Sequence, residues 1–261
     1  MTDKVITRRS GFWSWQWFYR LGSPKWFYEL SQTYVPWLSM IVFTMLTVGI
    51  IWALGFVPLD AKQGNSFRII YIHVPSAFLS MSGYLVMASF AAVSLIWKVK
   101  LASWMLKCAA PIGASMTVIA LFSGSVWGKP TWGTYWVWDA RTTFYLILLF
   151  IYLSIIALQS AYEQKDVADK ICSILALVGT VNVPIIYWSV EWWYTLHQPA
   201  TLKLTSESTI HSSMLYPLLL MIVTFYLMYA LLLTLLVRNE ILQRESKKEW
   251  VRDLLDKNGI K

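Results

Sequence analysis

Six apolar stretches, near residues 37–57, 76–97, 105–126, 142–161, 171–190 and 214–237, constrain this chain more than any other feature. Each is about 20 residues or longer, enough to cross a hydrocarbon core of roughly 30 Å at 1.5 Å per residue. Hydrocarbon offers no partner to a backbone N–H or C=O, so such runs fold as helices that satisfy their own hydrogen bonds. Of the 261 residues 57% are hydrophobic and 14% charged, against roughly 45–50% and 25% in soluble domains, which excludes an ordinary soluble fold. The expectation is an all-α polytopic membrane protein. Its six transmembrane helices occupy 37–237, between an interfacial N-terminal segment at 1–36 and an amphipathic tail at 238–261. Residues 1–35 lack a continuous apolar core ending in a small-residue cleavage site, so no cleavable signal is expected.

The net charge of +8 reads as topology rather than as nucleic-acid binding. Lys4, Arg8, Arg9, Arg20 and Lys25 precede the first stretch, and Lys98, Lys100 and Lys107 lie in or beside the second connection. Lys165 and Lys170 fall in or beside the fourth, and seven more, from Arg238 through Arg244 to Lys261, follow the last stretch. Only five of the 22 Lys and Arg residues fall on the other side: Lys62, Arg68, Lys129, Arg141 and Lys203. By the positive-inside rule both termini are cytoplasmic. Trp13, Trp15, Trp17, Trp26 and Phe27 read as an interfacial anchor, with membrane lipid as its partner. Cys108 and Cys172 form no Cys-x-x-Cys pair and read as packing residues, which leaves thiol redox chemistry and covalent Cys-x-x-Cys-His attachment unsupported.

Six crossings with cytoplasmic ends send the first, third and fifth connections outward, and the unusual residues gather there. The three histidines, His73, His197 and His211, lie in the first and fifth connections. The third connection, 127–141, holds Trp127, Trp132, Trp136 and Trp138 and closes on Asp139 and Arg141, with Gly128, Pro130 and Gly133 shaping its backbone. Trp favours membrane interfaces in general, but a belt needs neither the glycines nor the closing charges. Flat indole faces at a water boundary suit a large planar apolar ligand, and a neighbouring cation suits carboxylates on its edge. Haem fits that description, as would a quinone or a porphyrin precursor. Two histidines beside the tryptophans favour haem, whose iron takes imidazole as an axial ligand. His73 directly precedes Val74-Pro75, and Pro favours a first helical turn, so the second crossing is expected to begin there. The positive end of its macrodipole would keep His73 neutral. His211, among Ser and Thr, reads as a loop residue. Arg68 and Arg141 are the propionate candidates, and Asp139 is expected to fix the loop through Arg141 or through backbone amides of the fourth helix.

The Trp127–Arg141 segment reads Trp-Gly-Lys-Pro-x-Trp-Gly-Thr-x-Trp-Val-Trp-Asp-Ala-Arg. With Arg-Ile-Ile-Tyr-Ile-His-Val-Pro before it and Val-Glu-Trp-Trp-x-Thr-Leu-His-Gln after it, the chain closely resembles the haem exporter protein C family of cytochrome c maturation. That family belongs to the haem-handling proteins with the Trp-rich "WWD" motif, and the resemblance covers nearly the whole chain. It implies that His73 and His197 are the axial ligands of haem b and that Trp127, Trp132, Trp136, Trp138 and Asp139 form the haem platform. It further implies a bacterial inner-membrane protein whose site faces the periplasm. Such a protein handles haem rather than acting as an enzyme, and promotes covalent attachment of haem to a haem chaperone, CcmE. The implied partners are the small membrane protein CcmD and the ABC transporter CcmA with CcmB. The chain has Arg-Thr-Thr after Asp-Ala where the family more often has Arg-Leu-Thr.

Three other readings are weaker. An electron-transfer cytochrome b would bury its histidine pairs inside the bundle, whereas no histidine falls within an expected crossing. A proton- or ion-coupled transporter would carry ionisable residues in the middles of its crossings, which lack them. Gly124 to Pro130 only superficially resembles a phosphate loop, because its spacing is one residue short and Pro follows Lys129. Within the haem-handling proteins a full cytochrome c synthetase is the nearer rival, but it is much larger.

Overall fold

The computed structural model describes Arg20, residues 22–197 and residues 210–257. Trp13, Trp15, Trp17, Lys4, Arg8, Arg9, Lys203 and Lys261 lie outside the described residues. Eight α-helices are described: α1 Pro24–Ile51, α2 Ile70–Trp97, α3 Lys100–Trp132, α4 Ala140–Ala161, α5 Lys165–Gly179, α6 Asn182–Trp192, α7 Ser212–Arg244 and α8 Glu249–Lys257. A π turn, Trp52–Phe56, extends α1, and a 3-10 turn, Asn65–Ile69, leads into α2. Among the described residues six helical spans are long and apolar enough to cross a membrane, as the sequence leads one to expect.

Local chemistry sets the ends differently from the hydropathy pattern. α1 begins at Pro24, inside the segment read as interfacial, because Ser23 caps it by accepting from Trp26 N and Pro24 takes the first turn, where its missing N–H has no partner to lose. Pro36 is carried within the helix. The fifth crossing, expected as one run, is two helices, α5 and α6, separated at Thr180–Val181. Pro184 lies in the first turn of α6, where a proline is tolerated but a continuous helix would lose a hydrogen bond.

α2 packs most extensively on α3, with α4, α5 and α7 around the pair, while α1 lies outside and packs chiefly on α7. Aromatic hydroxyls tie the core. Tyr84 and Tyr152 are wholly buried, meet edge to face at 5.2 Å, and donate to the carbonyl oxygens of Ala176 and Ser80 at 3.0 and 2.9 Å. Cys108 and Cys172 are free and buried, in keeping with packing roles.

At the end of the bundle where α1 begins and α7 ends, α3, α4, α5 and α7 share one polar cluster. Arg244 pairs with both carboxylate oxygens of Asp169 at 3.1 Å and with Glu240 at 2.7 Å, and Lys107 pairs with Glu240 at 2.6 Å. Gln159 and Ser103 donate to Asp169 at 3.1 and 3.3 Å. Two cations counted for topology, Lys107 and Arg244, are therefore paired inside the protein. Beyond them α8 folds back, burying Val251 and setting Trp250 against Tyr28 at 5.9 Å. At 1.5 Å per residue, Lys107 and Trp127 stand about 30 Å apart along α3, so this cluster and the histidine-bearing end are opposite poles.

Candidate functional site

His73 is the fourth residue of α2 rather than the residue before it. The Asn65–Ile69 turn starts the helix early, and burial of Ile70 and Tyr71, 3% and 2% exposed, outweighs the hydrogen bond that Pro75 cannot make. His73 thus lies within a spanning helix, but one turn from its end. Its Nδ1 sits 3.1 Å from both the Ala120 carbonyl oxygen and Ser123 Oγ on α3. A carbonyl oxygen only accepts, so Nδ1 carries the proton and Nε2 the lone pair.

Trp127 and Trp132 are likewise helical, on the last turns of α3, where the sequence suggested a loop from 127 onward. Pro130 is accommodated because it falls near the helix end, and Thr131 Oγ1 donates to the Trp127 carbonyl at 2.8 Å. The helix stops at Gly133, whose φ of 81° favours glycine and whose N–H returns to the Lys129 carbonyl at 3.0 Å. The loop proper is short. Thr134 accepts from Trp136 N and donates to its carbonyl, folding Trp136 inward. Trp138 is 73% exposed and meets Trp136 edge to face at 5.3 Å.

Asp139 is the N-cap of α4, accepting from Thr142 N at 2.9 Å and from the Thr142 hydroxyl. That is the backbone role expected for it, and it sets Arg141 in the first turn. From there Arg141 reaches α6 and the residues after it: Nε donates to Ser189 Oγ at 3.3 Å, Nη2 to the Tyr187 and Ile186 carbonyls at 3.4 and 3.5 Å, and Nη1 to His197 Nδ1 at 3.4 Å.

These elements meet around a cavity of about 180 Å³. The His73 and His197 rings face one another with centroids 6.3 Å apart and planes 32° from parallel. Trp127 stands 5.7 Å from His73, and Trp132 stands 6.0 Å from His197. Seven of the nine residues singled out in the sequence line the cavity: His73, His197, Trp127, Trp132, Trp136, Asp139 and Arg141. Trp138 and Arg68 do not. Arg68 instead donates to the Val57 carbonyl at 3.0 Å, fastening the first connection onto the end of α1. His211 is the N-cap of α7, accepting from Ser213 N, and is likewise outside the cavity.

The cavity also enlists residues the sequence did not mark. Gln63 Oε1 accepts from Trp127 Nε1 at 2.7 Å, and the turn at Asp60 that holds it is closed by Asp60 Oδ1 accepting from Lys62 N and Gln63 N. Ser123 supports His73, while Gly124 and Tyr145 line the wall. An Asp-x-x-Gln turn is a weak local signal, and Ser123 and Gly124 carry none. The Trp136 indole N–H is buried with no partner, a donor without an acceptor in the cavity wall.

Comparison with known proteins identifies the family. The family model described as "Heme exporter protein C" matches residues 17–252. "Heme exporter protein C" of Escherichia coli K12 is 46% identical over 247 residues, covering 95% of this chain and all of that protein. The Haemophilus influenzae protein of the same name is 43% identical over 240 residues, covering 92% and 98%. A Marchantia polymorpha "putative cytochrome c biosynthesis ccmC-like mitochondrial protein" is 39% identical over 228 residues, covering 86% and 97%. With this match over almost its full length, the chain belongs to the haem exporter protein C family.

Proposed function

We propose that this multi-pass membrane protein binds haem b at the periplasmic face of the bacterial inner membrane and hands it to the haem chaperone CcmE for c-type cytochrome biogenesis. It would work beside CcmD and the CcmA/CcmB transporter, as a handling protein rather than an enzyme. The observation that carries this reading is the His73–His197 separation of 6.3 Å. Two metal–imidazole bonds of about 2 Å, with each ring nitrogen roughly 1 Å from its centroid, span about 6 Å. The gap therefore accepts one metal between the rings. Two imidazoles are too few to hold a bare ion well, and among the described residues no cluster of three or more His, Cys, Asp or Glu could hold a metal. They suit an iron whose four equatorial positions are filled by its own macrocycle.

The remaining residues fit the same ligand. His73 presents Nε2 because Nδ1 is held by α3, as supporting contacts to metal-ligating histidines do. Trp132 and Trp136 offer apolar faces, and Arg141 with the orphaned Trp136 N–H offers donors to carboxylates. A cavity of about 180 Å³ is below the roughly 300–1,000 Å³ of sites that enclose a ligand, so these residues would hold part of a macrocycle rather than enclose it. His73 and His197 would hold the group through its iron, which would supply the metal that the two imidazoles bind.

The test is the visible spectrum of the detergent-purified protein, wild type beside His73→Ala and His197→Ala, with haem quantified as its pyridine complex. A low-spin spectrum in the wild type that is lost or becomes high-spin in each variant supports the site. Unchanged haem content and spectrum in the double variant refutes it.

A further inference from the structure

Gln63 lies in the connection between α1 and α2, yet its backbone N–H, its carbonyl and its side-chain oxygen are all committed. Its N–H donates to Asp60 Oδ1 at 2.7 Å, and Gly64 N–H closes the same turn on the Asp60 carbonyl at 2.9 Å. Its carbonyl accepts from Ser66 Oγ at 2.6 Å and from Ser66 N at 3.2 Å. Its Oε1 accepts from Trp127 Nε1 at 2.7 Å, 64 positions further along the chain. An indole nitrogen only donates, so the amide turns its oxygen, not its nitrogen, to Trp127. Connections are usually the mobile part of a fold. This one is pinned at the residue that joins it to the cavity wall.

Trp127 is the indole that stands edge to face with His73, with centroids 5.7 Å apart and planes 75° from parallel. Phe67 meets it in the same manner at 6.2 Å. The outer torsion of a Trp side chain is broad, so ring contacts alone leave the indole a range of tilts. A hydrogen bond at Nε1 removes that range. It also uses up the one polar atom of the side chain, so Trp127 offers the cavity only carbon, whereas the buried N–H of Trp136 has no partner among the described residues.

We propose that Gln63 is a positioning residue of the ligand site: by holding Trp127 Nε1 it fixes the indole as an apolar wall beside His73 before any ligand arrives. This rests on the haem-binding reading above and makes the first connection part of the site. The bond exists without ligand, so it acts by pre-organisation, and its loss leaves one indole to be ordered on binding. The ceiling on that effect is the net worth of one neutral hydrogen bond, about three- to tenfold in affinity.

The experiment is a double-mutant cycle on the full-length, detergent-purified protein. Haem affinity is measured by titration, and the Trp127 indole N–H is followed by proton–nitrogen NMR in the ligand-free state, assigned by its absence from Trp127→Phe. Gln63→Leu should move that resonance to the position of an unbonded indole and weaken haem by about three- to tenfold. In the Trp127→Phe background the same change should cost nothing further, because the bond it removes is already gone. Gln63→Asn, polar like the original but one methylene shorter, replaces Gln63→Leu if that variant fails to fold, with the same outcomes expected. An equal loss in both backgrounds overturns the proposal, since Gln63 would then act without Trp127. So does an indole resonance that stays in place, or wild-type affinity in a variant whose indole has moved. The haem reading fails separately, by a spectrum and haem content indifferent to His73→Ala and His197→Ala, and the ligand-free indole resonance still decides whether Gln63 holds Trp127.

Discussion

Gly124 on α3 is the floor beneath the His73 imidazole: a Cβ at position 124 would stand 2.9 Å from His73 Cε1 and 3.4 Å from Nδ1. Real Cβ atoms do not approach that closely, so the ring can hold its place only over a glycine. Cost falls on helix propensity, where Gly is roughly 0.8–1.0 kcal/mol worse than Ala. The first prediction follows directly. Gly124→Ala should leave thermal stability in detergent unchanged or slightly raised while displacing His73, so that low-spin haem falls at least several-fold. A variant with wild-type haem content and spectrum would show that the imidazole has more room than the geometry allows.

Arg68 and Arg141 looked equivalent in sequence, each a cation close to a histidine in an outward connection, and they part company in the fold. Arg68 is spent on the Val57 carbonyl outside the cavity, and Arg141 lines it. We therefore expect Arg68→Ala to cost about 1 kcal/mol of stability, the worth of one hydrogen bond, with haem affinity within twofold of wild type. Arg141→Ala should weaken haem at least tenfold, as loss of a charge-assisted pair does. Haem titrations on the two variants decide the matter, and equal losses would return Arg68 to the site.

What could be read from the sequence was whatever is rare in a membrane chain. Three histidines and a run of four tryptophans closing on Asp139 and Arg141 are improbable against an apolar background, and seven of the nine residues so marked share one cavity. Helix ends were less readable because they depend on packing. Gly128 and Pro130 look like breakers, yet α3 continues to Trp132, and Pro75 looks like a start, yet α2 opens at Ile70. Gln63 and Ser123 were invisible for a different reason. Each is an ordinary polar residue whose partner, Trp127 or His73, lies 64 or 50 positions away. The charge pattern also could not show pairing: Lys107 and Arg244, counted for topology, are paired with Glu240 and Asp169.

That ion cluster gives a third prediction, one that separates stability from haem binding. The side chains of Asp169 and Arg244 are 9% and 13% exposed, and removing one member of a buried pair leaves the other uncompensated, at about 3 kcal/mol or more. Asp169→Asn should lower the detergent melting temperature clearly. Because the cluster lies about 30 Å along α3 from the cavity, the spectrum of the protein that remains folded should be unaltered. A shifted haem spectrum in that variant would mean the two ends of the bundle are coupled.

Asp139 stands in the Trp-rich segment, where it could be taken for a contact to the ligand, but its carboxylate is committed to Thr142 N and the Thr142 hydroxyl at the start of α4. A cap and an electrostatic contact make different demands on the side chain. Asn caps a helix about as well as Asp, whereas Ala costs roughly 1 kcal/mol, and only Asp brings a charge. If capping is the role, Asp139→Asn should bind haem as the wild type does, and Asp139→Ala should lose both stability and the placement of Arg141, two residues on. Haem affinity measured for both variants distinguishes the two roles. Equal impairment of Asn and Ala would mean that the charge itself is needed at the site, and the cap would then be incidental.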